Sequence, residues 1–168
     1  TYDLIVRNGT LYDGSGTPGR RADVGIRGDR VASVVFLSAA TATTEIYASG
    51  KAVAPGFINV LSWANQSLIA DGRGMSDLKQ GVTLEIMGEG ESGGPLNDAM
   101  KADILQHQGD IKYSIDWTTL GEFLDSLVRR GISLNVASFV GATSVRVYVL
   151  GEDDRDPTPA ELARMQDL

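Results

Sequence analysis

The side chains best placed to do chemistry in this sequence lie in one short stretch. Val82 to Met87 reads as a strand, and it runs into the glycine-rich segment Gly88-Glu89-Gly90-Glu91-Ser92-Gly93-Gly94. Side chains alternate along a strand, so Thr83, Glu85, Met87 and Glu89 are expected on one face, with Val82, Leu84 and Ile86 on the other. If the apolar set lies against helices, the first set points into a parallel barrel. Glu89 then falls at the C-terminal mouth, where such barrels build active sites. A carboxylate there can bind a metal or handle a proton. The competing reading makes Glu89 and Glu91 solvated loop residues. Glu85, between apolar neighbours, is costly to bury alone and is expected to meet an Arg, a Lys or a metal from another strand.

Other chemistries find little support. His107, in Ile104-Leu105-Gln106-His107-Gln108-Gly109, is the single histidine and sits among polar residues, which suits a surface position rather than a metal pair. No cysteine is present, which excludes disulfides and Cys-ligated centres within the chain. The glycine-rich segment lacks the Lys-Ser/Thr of a phosphate loop, and no nucleophile-elbow pattern occurs. A net charge of -7 argues against nucleic acid as a partner. No apolar run approaches the roughly 20 residues that span a bilayer. The compartment stays open: cytoplasmic, or periplasmic or secreted if a signal peptide has been removed from ahead of Thr1.

The elements that must position these residues follow from period and punctuation. With 42% apolar and 22% charged residues in 168, the chain can bury a core. Up to about residue 50, four- to six-residue apolar runs alternate with turns, among them a hairpin of Ala22 to Arg27 and Arg30 to Val35 around Gly28-Asp29. After Pro55-Gly56 the rhythm becomes strand, helix, strand: Phe57 to Trp63, a helix within Gln66 to Gln80, then Val82 to Met87. A second helix is expected over Thr118 to Arg130, with Leu120, Phe123, Leu124, Leu127 and Val128 at helical spacing, followed by a strand over Leu134 to Val140. Thr158, Pro159 and Glu161 have the spacing of an N-cap, a first helical residue and a capping-box partner. The fold class is therefore α/β: residues 1–54 form part of a small β-sandwich, and 55–168 form the first βα units of a (β/α)8 barrel. Three such units leave a parallel sheet edge unpaired, so the chain reads as the first third of a larger protein.

Several dispersed segments carry a resemblance. Tyr2 to Thr10, Ala22 to Ala32 and Val53-Ala54-Pro55-Gly56-Phe57-Ile58-Asn59 resemble the N-terminal portion of the amidohydrolase superfamily. Gly81-Val82-Thr83, Asn135 to Gly141 with Arg146, and Asp154 to Met165 are similar to its N-acyl-D-amino-acid deacylase branch. The resemblance implies a metal-bearing barrel that hydrolyses an amide with metal-activated water, and a general acid/base beyond Leu168. It also implies departures. The His-x-His of the first barrel strand falls on Leu61 and Trp63, and the Asp before it on Asn59. The branch's cysteine ligand falls within Gly88 to Glu91, and a later histidine falls near Ala142, while Arg146 remains.

Three readings stay open. One is a hydrolase of N-acyl-D-amino acids or related small amides. It keeps one divalent metal, zinc by resemblance, with Glu89 in place of the cysteine and most ligands outside this chain. Trp63 would then offer an aromatic wall and Arg146 a carboxylate clamp for substrate. The second is an inactive relative that binds a ligand. The third is a segment active only when joined to its C-terminal remainder, as a separate or nicked chain. A homo-oligomer is compatible with each.

Overall fold

A computed structural model describes all residues, 1–168. The chain divides into two compact units, Thr1–Pro55 and Gly56–Leu168.

The first unit is a single five-stranded sheet built from β1 (Tyr2–Leu11), β2 (Arg20–Arg27), β3 (Arg30–Val35), β4 (Ala42–Tyr47) and β5 (Ala52–Val53). The order is β3-β2-β1-β4, with β5 also beside β1. β2 and β3 form the expected hairpin, turning through Gly28 at φ 57°. Leu11, Ala22 and Val24 make a small core on this sheet. Beside it, buried Asp23 accepts the backbone N–H groups of Asn8 and Leu37, both at 2.8 Å. Asn8 itself takes a left-handed turn at φ 60°, so Asp23 fixes a conformation that its neighbour's backbone resists.

In the second unit, β6 (Phe57–Asn59), β7 (Val82–Met87) and β8 (Asn135–Ser138) form a parallel sheet in chain order. The helix expected within 66–80 is two short ones, α1 (Asn65–Ala70) and α2 (Met75–Leu78). Gly74 at φ 52° breaks the run, a conformation that suits glycine. Two further helices, α3 (Asp98–Gln106) and α5 (Ala142–Leu150), join α4 (Leu120–Arg130) and α6 (Pro159–Asp167). Both capping boxes are formed, Thr119 with Glu122 and Thr158 with Glu161. No helix is long and apolar enough to cross a membrane.

The core of this unit joins Leu68 of α1, Met87 of β7, and Phe123 and Leu127 of α4 to Leu96 and Trp117. Trp117 is fixed from both sides. Its Nε1 donates to the Gly93 carbonyl at 2.7 Å, and its ring lies 5.3 Å from that of Phe123. Val128, expected on the inner stripe of α4, lies outside at 65% exposure. The stripe is narrower than the apolar spacing suggests because α4 has core on one side only.

The faces of β7 are the reverse of the expectation. Met87 and Glu85 lie on the side covered by helices, whereas Leu84 is paired with the exposed Ile58 on the other side. The helices bring large apolar side chains to Met87, and that contact decides which face is covered.

The end of the chain shows how local charge fixes a helix start. Arg155 reaches Glu161 through two N–H groups at 2.7 and 2.9 Å, and the Thr158 backbone N–H donates to the same carboxylate. The Arg155 hydrogen bonds, then those of Thr158, lower the Glu161 pKa to about 2. A lowered carboxylate pKa stabilises the fold above the ordinary value of 4.5, and that contribution fades as pH falls toward about 2. A carboxyl-detected NMR titration is therefore expected to place the Glu161 midpoint near 2, and Arg155→Gln to move it back toward 4.5.

Candidate functional site

The C-terminal tips of the three parallel strands come together, and backbone bonds hold them. The Ser62 N–H donates to the Ile86 carbonyl, and the Phe139 N–H to that of Met87, both at 2.9 Å. Beyond β7 the chain turns at Gly88, φ 90°, where a β-carbon would meet the Phe139 carbonyl and, at 2.5 Å, the Ser138 hydroxyl. Beyond β8 the chain passes Gly141, where a β-carbon would come within 2.8 Å of the Glu91 backbone. Glycine at both points lets the tip loops close on each other.

Two buried serines secure that closure. Ser92 Oγ accepts the Gly141 N–H at 2.9 Å, and Ser144 Oγ accepts the Ser92 N–H at 2.9 Å. The Thr143 N–H also donates to the Gly90 carbonyl at 2.9 Å. The loop carrying Glu89 is thus tied to the start of α5. Reading the sequence missed Ser92 and Ser144, because a serine in a glycine-rich segment gives no sign that its partner lies some fifty residues on.

The tip is mostly apolar. Leu61, Trp63, Phe139 and Val140 are all exposed there, Trp63 at 67%. Glu89 and Glu91 are exposed as well, and the Glu91 N–H donates to the Glu89 carbonyl at 2.9 Å. No group of three His, Cys, Asp or Glu side chains lies close enough to hold a metal. The chain's own residues therefore assemble no three-ligand metal centre around Glu89.

Arg146 lies on α5. Its Nη2 donates to the carbonyls of Asp153 and Arg155 at 2.9 and 2.8 Å, which pins the loop leading to α6. His107 caps the end of α3, exposed, with Nδ1 2.9 Å from an Asp103 carboxylate oxygen four residues back.

Glu85 meets no Arg or Lys from another strand. It is fully buried, and its Oε2 accepts from Asn59 Nδ2 at 3.0 Å. The two residues are register partners on β6 and β7. Asn59 Oδ1 in turn accepts the Leu61 N–H at 3.3 Å, so the buried carboxylate orients an amide that shapes the tip of β6. The pairing has a simple cause: a neutral donor on the adjacent strand was already in register, and it satisfied one carboxylate oxygen at little cost.

Comparison with known proteins gives one consistent picture. A D-aminoacylase of Alcaligenes xylosoxydans xylosoxydans is 37% identical over 171 residues, covering 99% of this chain and 34% of that protein. The crystal structure of D-aminoacylase superposes with a TM-score of 0.79 at 32% identity, covering all of this chain and 35% of the other. The N-acyl-D-glutamate deacylase of Bordetella bronchiseptica, solved with zinc and a phosphonate mimic of the tetrahedral intermediate, superposes with a TM-score of 0.84 at 31% identity over 99% of this chain and 35% of its own. No protein-family model matches the chain. The chain spans about a third of the length of these relatives.

Proposed function

We propose, from the premise that this chain is a homologue of the N-terminal part of the D-aminoacylases, that it is the N-terminal portion of an amidohydrolase acting on N-acyl-D-amino acids or related small amides. What carries the reading is the similarity of sequence and fold over the whole chain to enzymes of that one group. In this reading the rest of a (β/α)8 barrel comes from the C-terminal remainder of the protein, present as a continuation or a separate chain.

A divalent metal, zinc in this proposal, activates water and polarises an amide carbonyl in such chemistry. Since this chain builds no metal centre alone, Glu89 is its one proposed ligand, and the others lie outside it. Trp63 and Leu61 form an apolar wall at the tip where an acyl group can rest. Arg146 is the proposed carboxylate clamp, using the part of its guanidinium that the loop carbonyls leave free.

The bare apolar tip also supports a second reading, an inactive relative that binds an acylated ligand without cleaving it. Element analysis of the full-length protein after dialysis, with an assay on N-acetyl-D-amino acids, separates the two. The hydrolase reading expects about one metal per molecule and turnover, with Glu89→Ala lowering both; turnover without metal, or metal unaffected by Glu89→Ala, removes Glu89 from the site. Binding without metal or turnover supports the second reading.

A further inference from the structure

Glu85 is fully buried, yet only one of its oxygens has a partner: Oε2 accepts from Asn59 Nδ2 at 3.0 Å, and Oε1 has no hydrogen-bond donor. A buried carboxylate satisfied on one side costs stability, and an apolar residue of like volume would cost less. Holding the fold together does not account for it. What Glu85 does fix is the direction of an amide. A carboxylate accepts hydrogen bonds and donates none, so it takes the NH2 end of Asn59 and turns Oδ1 the other way. That oxygen accepts the Leu61 N–H at 3.3 Å, a turn in which an Asn side chain holds the backbone two residues on. β6 ends at Asn59, and the chain beyond is tied down again at Ser62, whose N–H donates to the Ile86 carbonyl and whose Oγ accepts the Ala64 N–H at 3.2 Å. Between these ties stand Leu61 and Trp63, both exposed at the strand tip.

We infer that Glu85 is a positioning residue: acting through Asn59, it sets the place of Leu61 and Trp63, the wall proposed above to receive the acyl group. It needs no access to substrate. The relay joins one pairing across strands, Asn59 opposite Glu85, to one local turn, Asn59 to Leu61. Turning the amide over would set its NH2 against the Leu61 N–H, donor against donor, and release the tip. An acceptor-only group on β7 removes that alternative. A glutamine there would not, because it can accept from Nδ2 or donate to Oδ1. The coupling of Glu85 to the tip follows from these hydrogen bonds, while its bearing on an acyl group rests on the hydrolase reading.

The test labels the full-length protein with 5-fluorotryptophan and follows Trp63 by fluorine NMR, its signal being the one lost in Trp63→Phe. Glu85→Met, which fills much the same space without a carboxylate acceptor, should shift or broaden that signal. Tm should hold or rise, since an incompletely satisfied carboxylate leaves the core. With N-acyl-D-amino acids as substrates KM should rise severalfold with kcat little changed, the mark of a lost binding contact. Glu85→Gln, which leaves the amide free to turn, should fall between Glu85→Met and the unaltered protein. Asn59→Leu combined with Glu85→Met removes both partners and should match Glu85→Met, because the two residues act through one relay. The double variant also serves if Glu85→Met alone does not fold. A Trp63 signal that stays in place in these variants, a KM unmoved in an active enzyme, or a KM rise that only tracks a fall in Tm overturns the inference. Should the unaltered protein show no turnover, the hydrolase reading fails on its own, and the Trp63 signal alone decides the role of Glu85.

Discussion

Replacing Asp23 by alanine is expected to destabilise the N-terminal unit by about 3–5 kcal/mol. The residue is 4% exposed, and its two carboxylate oxygens hold the backbone N–H groups of Asn8 and Leu37. Alanine leaves both donors without their partner and removes the second of the two anions beside Arg7, which lies 3.9 Å away. Arg7 keeps Glu45 and the carbonyls of Leu37 and Ala40, so the loss falls on the Asn8 turn and on the chain entering Leu37. Hydrogen exchange read unit by unit is the right measurement, because two compact units need not unfold as one. Lost protection should concentrate in β1 and β2. An effect below about 1 kcal/mol would mean that water replaces the carboxylate and that Asp23 is not a keystone of the sheet. Asp23→Asn, which keeps one acceptor, should cost less than alanine.

The second large effect is expected from Phe123→Ala, at about 3–5 kcal/mol. Phe123 is 1% exposed and lies at the centre of the C-terminal core, against the ring of Trp117 and close over Gly93. Alanine opens a cavity between α4 and the segment 93–96, and it frees Trp117 from one of its supports, leaving the Gly93 carbonyl and the stacked Tyr113 ring. Urea unfolding measures the cost. In a Trp63→Phe background, which leaves Trp117 as the sole indole of residues 1–168, emission from Trp117 should shift to the red as the ring gains solvent. The same change should loosen the 88–94 loop, since Gly93 holds the Trp117 indole, so in the hydrolase reading the variant should lose activity beyond its loss of stability. A cost near that of a surface substitution would show that the core collapses onto the gap.

Much of the architecture is legible in the sequence. The β2–β3 hairpin was marked by a Gly-Asp turn between alternating runs. The start of α6 was marked by the Thr158-Pro159-x-Glu161 spacing, which forms as a capping box. Such signals are local: each needs only residues a few positions apart, so the chain determines them by itself. The same holds for the apolar character of the tip, carried by Leu61 and Trp63. α5 escaped notice because Val145-Arg146-Val147-Tyr148-Val149 is rich in β-branched and aromatic residues, which local preference places in strands. It is helical because its start is tied to the Glu89 loop through Ser144 and Thr143, a restraint from across the fold that overrides propensity.

The face of β7 shows the boundary most plainly. Alternation along Val82 to Met87 established that Glu85 and Met87 share a side, and they do. Which side receives the helices depends on where Leu68, Phe123 and Leu127 arrive, and those residues come from segments up to forty positions away. A period of two defines a pair of faces without labelling them inner and outer. Spacing within segments established the β2–β3 hairpin, the parallel strands, the α4 and α6 helices and the apolar character of the strand tips. Only the tertiary structure decided that Glu85 lies under the helices with Asn59 as its partner, because burial is set by contacts between segments and not by spacing within one.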